Sequence, residues 1–560
     1  MTRIHLHGRA RTWLSIGVAA SSALALHASA AAASSRQVSL IQDGVALNQN
    51  PYGDLAEMKE VGANTVRVLL NWNSVAPRPN ARFAPRPFTA ANPAAYPASG
   101  WSQWDAIVRA AHVEGIRVDL DIIGAPPRWA EARNVPPQYL RSSYGWEPNA
   151  VDYGQFVRAV ATRYDGHYTP AGQTSPLPRV NLYSLWNEPN NGQDLGPQNI
   201  DATKKSAGYL QSPRYYRQLL RTGFSALRAK ARGSTILFGE LAPDGKGPFH
   251  TSRRLPFGLP GRVSLSAPGT FVRTLYCLNP AYKPLTGRAA SVAGCPTNAR
   301  ARRSFVRQNP ALFDASAFAM HPYASHYTPT AKAKSIPAND FPFPVIGRLE
   351  STLTRSTSFW HRRRLYRIWS TEFGYITSPP QTNRGGKPWP SPQQAAIYLN
   401  QSEYLSYRNP RIASYAQYLL NDPPNLLSKG VGLFASGLLT DKGVPKPTLF
   451  AYRMPIWLPR QKLQRRQNAI IWGGARPAPA GFSATRQPQH IELQQLTGGS
   501  WQTLATVTAS RFNGDFTTHY RFIRSVRVRL AYTYPSTELA LPVGIAGSTI
   551  YSRTVPVTVR

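Results

Sequence analysis

The sequence predicts a (β/α)8 barrel followed by a small all-β, β-sandwich-like domain, and three observations lead to that fold class. Between Gln37 and Pro455, eight short β-branched or apolar runs alternate with longer helical patterns, the signature of repeated βα units around a parallel sheet. No Gly-rich dinucleotide fingerprint follows the first run, so a closed barrel fits better than an open doubly wound sheet. After Pro455 the pattern changes to short strands separated by turns such as Asn513-Gly514 and Gly498-Gly499. With 560 residues, 42% of them hydrophobic, the chain can fill one large core and a second small one.

The elements follow in order. Arg3, Arg9 and Arg11 precede an apolar stretch at 13–26 and then Ala28-Ser29-Ala30, which reads as a secretory signal peptide over residues 1–33. The apolar run is too short to span a bilayer, and no later stretch reaches the roughly 20 apolar residues that a spanning helix needs. The mature chain is therefore expected to be secreted, with no transmembrane segment; no cysteine stands directly after the apolar run, so no lipid anchor is expected. The barrel is expected over 37–457, with strands at 38–42, 65–72, 117–124, 180–186, 235–241, 315–321, 366–373 and 412–420. Helical patterns fill the intervals, for example at 101–114, 152–164, 212–231 and 391–407. Long connections at 77–100, 189–211, 243–309 and 324–340 would build a cleft, because loops after barrel strands line the site. Residues 458–560 form the second domain, with strands at 469–473, 490–496, 502–508, 525–534 and 554–559. It shows no aromatic binding stripe, which favours packing against the barrel over binding a polysaccharide.

A formal charge of +38 raises the question of a polyanionic partner. The basic residues are spread along the chain, with only short groups such as Arg362-Arg363-Arg364, and no nucleic-acid-binding motif occurs, so nucleic acid is not expected. Association with an anionic cell envelope fits secretion, and a merely solvated basic surface explains the charge as well. The two cysteines, Cys277 and Cys295, most simply form a disulfide in an oxidising compartment, two unpaired thiols being the alternative. No second pair or nearby histidine completes a ligand set, so neither a metal nor a cofactor is expected.

Chemistry concentrates at strand ends. The fourth strand ends in Trp186-Asn187-Glu188-Pro189-Asn190 and the seventh in Trp369-Ser370-Thr371-Glu372-Phe373-Gly374. Each glutamate thus sits where barrel enzymes place catalytic groups. Two carboxyl groups facing one pocket is what glycosidic cleavage needs: one protonated for the leaving oxygen, one ionised for the anomeric carbon. Taken singly, Asn-Glu-Pro is a common strand-to-loop turn and an arginine in a strand usually has a structural ion pair. The weight lies in four strand ends carrying the required residue types in order.

These motifs resemble clan A of the glycoside hydrolases, with families 5 and 39 the nearest, over about Gln37 to Pro455. The resemblance implies retaining hydrolysis of a β-linked polysaccharide, oligosaccharide or β-glycoside, with Glu188 as acid/base and Glu372 as nucleophile. It further implies that Asn187 binds the sugar 2-hydroxyl, that Arg67 in Val66-Arg67-Val68 keeps the nucleophile ionised, and that His321 and Tyr323 in His321-Pro322-Tyr323 frame the sugar. The third strand ends in Gly124-Ala125-Pro126-Pro127-Arg128-Trp129, without the family 5 histidine and nearer to family 39. After strand eight, where many clan members carry a tryptophan, the chain reads Gln417-Tyr418-Leu419-Leu420. Glu240, ending strand five, is a rival carboxylate expected to hydrogen-bond within the cleft or bind substrate. Trp72 and Trp129 are expected in the pocket as sugar-stacking faces, whereas Trp369 is expected in the core. A barrel that binds glycan without turning it over is the alternative, against which the intact glutamate pair stands.

Overall fold

The computed structural model describes residues 34, 36–134, 145–200, 208–245, 265–381, 388–424, 434–478, 490–509, 513–536 and 544–560. The expected leader, 1–33, lies outside them. Eight parallel strands close into a barrel in chain order: β1 (Val38–Gln42), β2 (Thr65–Asn71), β3 (Arg117–Ile123), β4 (Leu182–Leu185), β5 (Thr235–Leu241), β6 (Ala317–Met320), β7 (Ile368–Ser370) and β8 (Ile412–Tyr418). β8 completes the ring by pairing with β1 from Val38↔Ser414 to Gln42↔Tyr418. Several strands are shorter than their apolar runs. β7 keeps three residues of the eight at 366–373, because Thr371 and Glu372 leave the ladder to face the mouth.

The lower interior is filled by Leu182, Leu237, Ala317, Ala319 and Ala413 around the single large ring of Trp369, over which the Arg117 guanidinium lies at 5.4 Å. Small residues on β6 and β8 make room for that ring, so Trp369 is core, as its place inside the strand predicts. Toward the C-terminal ends the interior becomes polar: Arg67, Asp119, Asp121, Ser184 and Glu240 are fully buried there.

Helices α1 (Pro51–Glu60), α2 (Ala98–Glu114), α3 (Ala150–Arg163), α4 (Ser212–Lys230), α5 (Pro268–Leu275), α6 (Ile346–Phe359), α7 (Pro392–Tyr407) and α8 (Pro447–Arg453) cover the outside. Their ends obey local chemistry. Asn149 caps α3 by accepting from Val151 and Asp152 N–H, and Ser391 caps α7 ahead of a proline at the first helical position. Gly115, at φ 63°, ends α2 in the left-handed conformation. Cys277 and Cys295 form a disulfide with 5.5 Å between Cα atoms. Beside it the buried Arg217 of α4 donates to the carbonyls of Leu275, Ala293 and Gly294, holding both ends of the bridged loop to the barrel wall.

After α8 the chain builds two packed sheets. Strands β9 (Ile456–Trp457), β11 (Ala469–Gly474) and β14 (Asp515–Tyr520) form one. The other runs β10 (Lys462–Leu463), β17 (Val555–Val559), β15 (Val526–Thr533), β12 (His490–Thr497), β13 (Ser500–Thr508), with β16 (Thr549–Tyr551) paired to β15. Ile471, Leu493, Phe516, Val528, Leu530 and Val557 are among the residues of its own buried core. This unit packs on α7 and α8: Trp472 lies between Tyr404 and Tyr407, Arg476 pairs with Glu403, and Arg553 donates to Asn400. Arg476 and Asp515 share a cavity with Gln37, Val38 and Asn64, at the N-terminal ends of β1 and β2. The sandwich therefore meets the foot of the barrel, remote from the strand ends that carry the glutamates. Among the described residues no helix is long and apolar enough to cross a membrane.

Candidate active site

Every barrel strand brings at least one polar group to the mouth. Arg67 projects from β2 and is the hub: it donates to Glu372 Oε1 at 2.5 Å, Asp121 Oδ2 at 2.6 Å, Asn187 Oδ1 at 2.9 Å and Gln42, and lies 3.1 Å from Glu240 Oε2. Burial works against its charge, but Glu240, Asp121 and Glu372 outweigh that and raise its pKa, so it is a permanent cation. The second hub is His321, immediately after β6. Its Nδ1 lies 2.9 Å from Glu188 Oε1 and 3.5 Å from Glu372 Oε2, and its Nε2 lies 2.9 Å from Glu240 Oε2. Tyr323 donates its hydroxyl to Glu372 Oε2 at 2.9 Å, and Asn191 its amide to Glu188 Oε2 at 3.1 Å.

Exposure separates the carboxylates. The side chains of Glu188 and Glu372 keep 19% and 11% of their surface, whereas Glu240 and Asp121 keep none. Of these four the first two alone are reached by solvent, and each offers an oxygen within 4.8 Å of the other's. Glu188 and His321 with Glu372 have the spacing of a cation site, yet Arg67 already supplies the positive charge at Glu372, and both ring nitrogens of His321 are engaged by carboxylates. The strand ends are held in uncommon backbone: Trp186, Glu188 and Glu240 have φ of 72°, 37° and 47°. Non-glycine residues in that region cost on the order of 1–3 kcal/mol each and cluster where a site over-determines them. The Glu188 N–H donates to the Glu240 carbonyl at 2.9 Å, tying the two ends together.

The electrostatics are uneven. Burial raises Glu188, but the His321 hydrogen bond and charge, Asn191 and Arg67 bring it below the usual carboxylate range. Burial raises Glu240 too, and Arg67, His321 and Ser184 lower it to about 2. Asp194, in the loop after β4, is pushed well above its ordinary value by burial and by Glu188. Asp119 rises to about 7 through burial and Glu240, against Arg67.

Of the residues expected at the site, Glu188, Glu372, Arg67, Asn187, His321 and Tyr323 are brought together here. Trp72 is not, and that expectation is corrected. β2 stops at Asn71, whose side chain caps a single helical turn, Trp72–Val75, and this swings Trp72 outward into the helix layer. There it is fully buried, stacked on Phe156 at 5.4 Å and against Tyr153 at 5.8 Å. Trp129, half-buried, packs edge-on to Trp72 and Phe88 and donates its indole N–H to the Pro77 carbonyl. The aromatic wall of the site is instead Tyr323, Tyr418 and Phe434, with ring centroids 5.5 to 5.8 Å apart. Tyr418 ends β8, a tyrosine where the resemblance leads one to expect tryptophan. Gln42, Asp121 and Asp194 carry no motif that would single them out.

No protein-family model matches the chain, and no curated protein does. Among solved structures it is similar to the exo-β-1,4-mannosidase Op5Man5 from Opitutaceae bacterium strain TAV5, at 15% identity and a TM-score of 0.39. That match covers 74% of this chain and spans 58% of the mannosidase. It is also similar to a family 1 β-glucosidase from Thermotoga maritima, at 12% identity, a TM-score of 0.41 and coverage of 72% and 85%. A third is GH5_18 from Streptomyces cattleya in complex with GlcNAc, at 14% identity, a TM-score of 0.41 and coverage of 77% and 84%. At these levels the likeness assigns no activity, which has to come from the site's own geometry.

Proposed function

We propose that this protein is a secreted retaining glycoside hydrolase that cleaves the O-glycosidic bond of a β-linked glycan or β-glycoside, with Glu372 as nucleophile and Glu188 as acid/base. The observation that carries the reading is the pair of solvent-reached carboxylates with oxygens within 4.8 Å of each other. That proximity suits direct attack, for which carboxyl groups stand about 5–5.5 Å apart; an inverting enzyme needs about 6.5–9.5 Å to admit water between sugar and base.

The neighbours divide the roles. Glu372 accepts from Arg67 on one oxygen and Tyr323 on the other, so a cation and a hydroxyl stabilise the carboxylate that attacks the anomeric carbon. Glu188 is bound by His321 and Asn191, the first of which is a titratable group that can exchange a proton with it. In the first half-reaction Glu188 protonates the leaving oxygen while Glu372 forms the glycosyl-enzyme; in the second, Glu188 deprotonates water, which displaces Glu372. Asn187, oriented by Arg67, is placed to meet the sugar 2-hydroxyl. The wall of Tyr323, Tyr418 and Phe434 offers an apolar face for the sugar ring.

The test is hydrolysis of a panel of aryl β-glycosides and β-glycans by the mature protein, beside Glu372→Gln and Glu188→Ala. Glu372→Gln is expected to lose kcat by on the order of 10⁴-fold or more without unfolding. Glu188→Ala should lose far less on a dinitrophenyl glycoside, whose leaving group needs no proton, than on a natural linkage. Proton NMR of the first-formed sugar should show the β anomer; an α product, or an active Glu372→Gln, would sink the reading.

A further inference from the structure

Glu240 is a buried carboxylate that double displacement does not use. It enters the barrel through a β-bulge. β5 pairs with β6 at Leu237↔Ala317 and Phe238↔Phe318 and then at Leu241↔Met320, so Gly239 and Glu240 stand opposite Ala319 alone. Gly239 has φ 115°, and a Cβ there would lie 2.5 Å from the Ala319 carbonyl oxygen, so the position demands glycine. Leu237 faces the barrel interior while Phe238 and Leu241 belong to the outer core. Regular alternation would send Glu240 outward with Phe238; the extra residue turns it in.

Inside, four donors meet its two oxygens. Oε1 accepts from Ser184 at 2.5 Å and Oε2 from Thr371 at 2.6 Å; Arg67 Nη2 lies 3.1 Å and His321 Nε2 2.9 Å from Oε2. A carboxylate so surrounded is an acceptor only, and the hydrogen in the contact with His321 belongs to the ring. On the opposite nitrogen, Nδ1 faces Glu188 Oε1 at 2.9 Å, a separation with room for one hydrogen. We propose that Glu240 is a positioning residue that fixes Nε2–H on His321 and so confines one exchangeable proton to the contact between Nδ1 and Glu188. The use of that proton in catalysis rests on the double-displacement reading; its location does not.

The surrounding charges agree. His321 faces Glu188 and Asp194 from the β4 end and its loop, Glu240 from β5 and Glu372 from β7, with Asp121 of β3 and Arg67 of β2 behind them. Burial disfavours a charged ring, but Glu372, Glu188 and Glu240 outweigh it and raise His321 to about 10. The lowered Glu188 is the same proton seen from its other side: it rests on the ring. When the leaving oxygen takes a proton through Glu188, Nδ1 gives up its own and the ring stays neutral with Nε2–H on Glu240. The attacking water later returns one proton to the pair, so one leaves with the aglycone and one enters from water.

The experiment is ¹⁵N NMR of histidine-labelled full-length protein without substrate, the His321 signal being assigned among the 11 histidines by its loss in His321→Asn. Alongside it run pH profiles of kcat/KM. Nε2 is expected to be protonated across the neutral range, and in Glu240→Gln the ring titration and the alkaline limb of kcat/KM should both move down by about 1–3 pH units. Ser184→Ala and Thr371→Val remove a neutral donor but no charge and should leave that limb in place. A bare Nε2 in the unaltered protein overturns the proposal. So does a Glu240→Gln variant whose activity falls equally at every pH, as it would for a purely structural carboxylate. The NMR result needs no turnover, so a protein that hydrolyses nothing still gives an answer.

Discussion

Two buried arginines, one at the mouth of the barrel and one at its foot, use the same guanidinium to opposite ends. Arg67 meets Glu372, Asp121 and Glu240, with Asp119 close behind, so the carboxylates around it outnumber the cation. Arg476 pairs with Glu403, lies 4.8 Å over the Tyr452 ring and donates to the Tyr452 carbonyl. Burial raises no net obstacle at Arg67, whose pKa goes up, whereas at Arg476 it prevails over Asp515 and Tyr534 and lowers the value to about 10. One guanidinium on one carboxylate is a staple between barrel and sandwich. A surplus of buried carboxylates around one cation is costly by itself, and such clusters collect where chemistry requires shifted protons.

The sharpest way to break this contrast is to remove each cation in turn. Arg67→Met should lower kcat on the order of 10²–10³-fold, because the nucleophile loses its counter-charge, and should also destabilise the fold by about 3–5 kcal/mol as three carboxylates go unpaired. Arg476→Met should cost a similar 3–5 kcal/mol in urea unfolding and leave kcat within about twofold. Adding Glu403→Leu to Arg476→Met should recover most of that loss, since a buried pair replaced by apolar groups is often neutral. A tenfold fall in kcat for folded Arg476→Met would show that the foot is coupled to the site and would end the comparison.

How much of this was legible in the sequence follows the same division. The foot and wall of the barrel are governed by apolar periodicity, so strands such as β1 and β5 run over the residues their apolar pattern predicts. At the mouth the pattern overshoots, because Trp186, Thr371 and Glu372 belong to apolar runs yet leave the ladder to build the site. Glu188 and Glu372 were readable because a motif marks each; Asp121 and Gln42 were not, because a polar residue in a strand looks the same whether it meets solvent or Arg67. Trp72 misled for a local reason, since the Asn71 cap that turns its ring outward competes with an aromatic at a strand end as a signal. Glu240 was seen as a carboxylate at a strand end, but its inward aim depends on a bulge that only the pairing with β6 reveals. In the sandwich, β14 and β16 went unpredicted: Asp515–Tyr520 and Thr549–Tyr551 are short and largely polar, and pairing partners make them strands.

The finest test of the contrast compares a carboxylate beside each arginine. At Glu240 burial is overcome by Arg67 and His321, which bring the group to about 2, whereas at Asp515 burial prevails over Arg476 and raises it to about 7. The reason is the number of donors: Arg67, His321, Ser184 and Thr371 meet Glu240, whereas Arg476 alone opposes burial at Asp515. The two groups then act on stability with opposite signs. Folded protein holds the Asp515 proton up to about 7, while the unfolded chain releases it near 3.8, so its contribution falls as pH rises through that window. Glu240 instead contributes stability that is present above about 4.5 and lost as pH falls toward 2. Asp515→Asn keeps the neutral shape and should raise Tm at pH 7.5 by a few degrees relative to the unaltered protein, with little change at acid pH and none in kcat. Tm measured from pH 4 to 8 on both proteins decides it. If Asp515→Asn instead lowers Tm at pH 7.5, Arg476 holds Asp515 ionised as well as pairing with Glu403, and the foot carries the same kind of shared charge as the mouth.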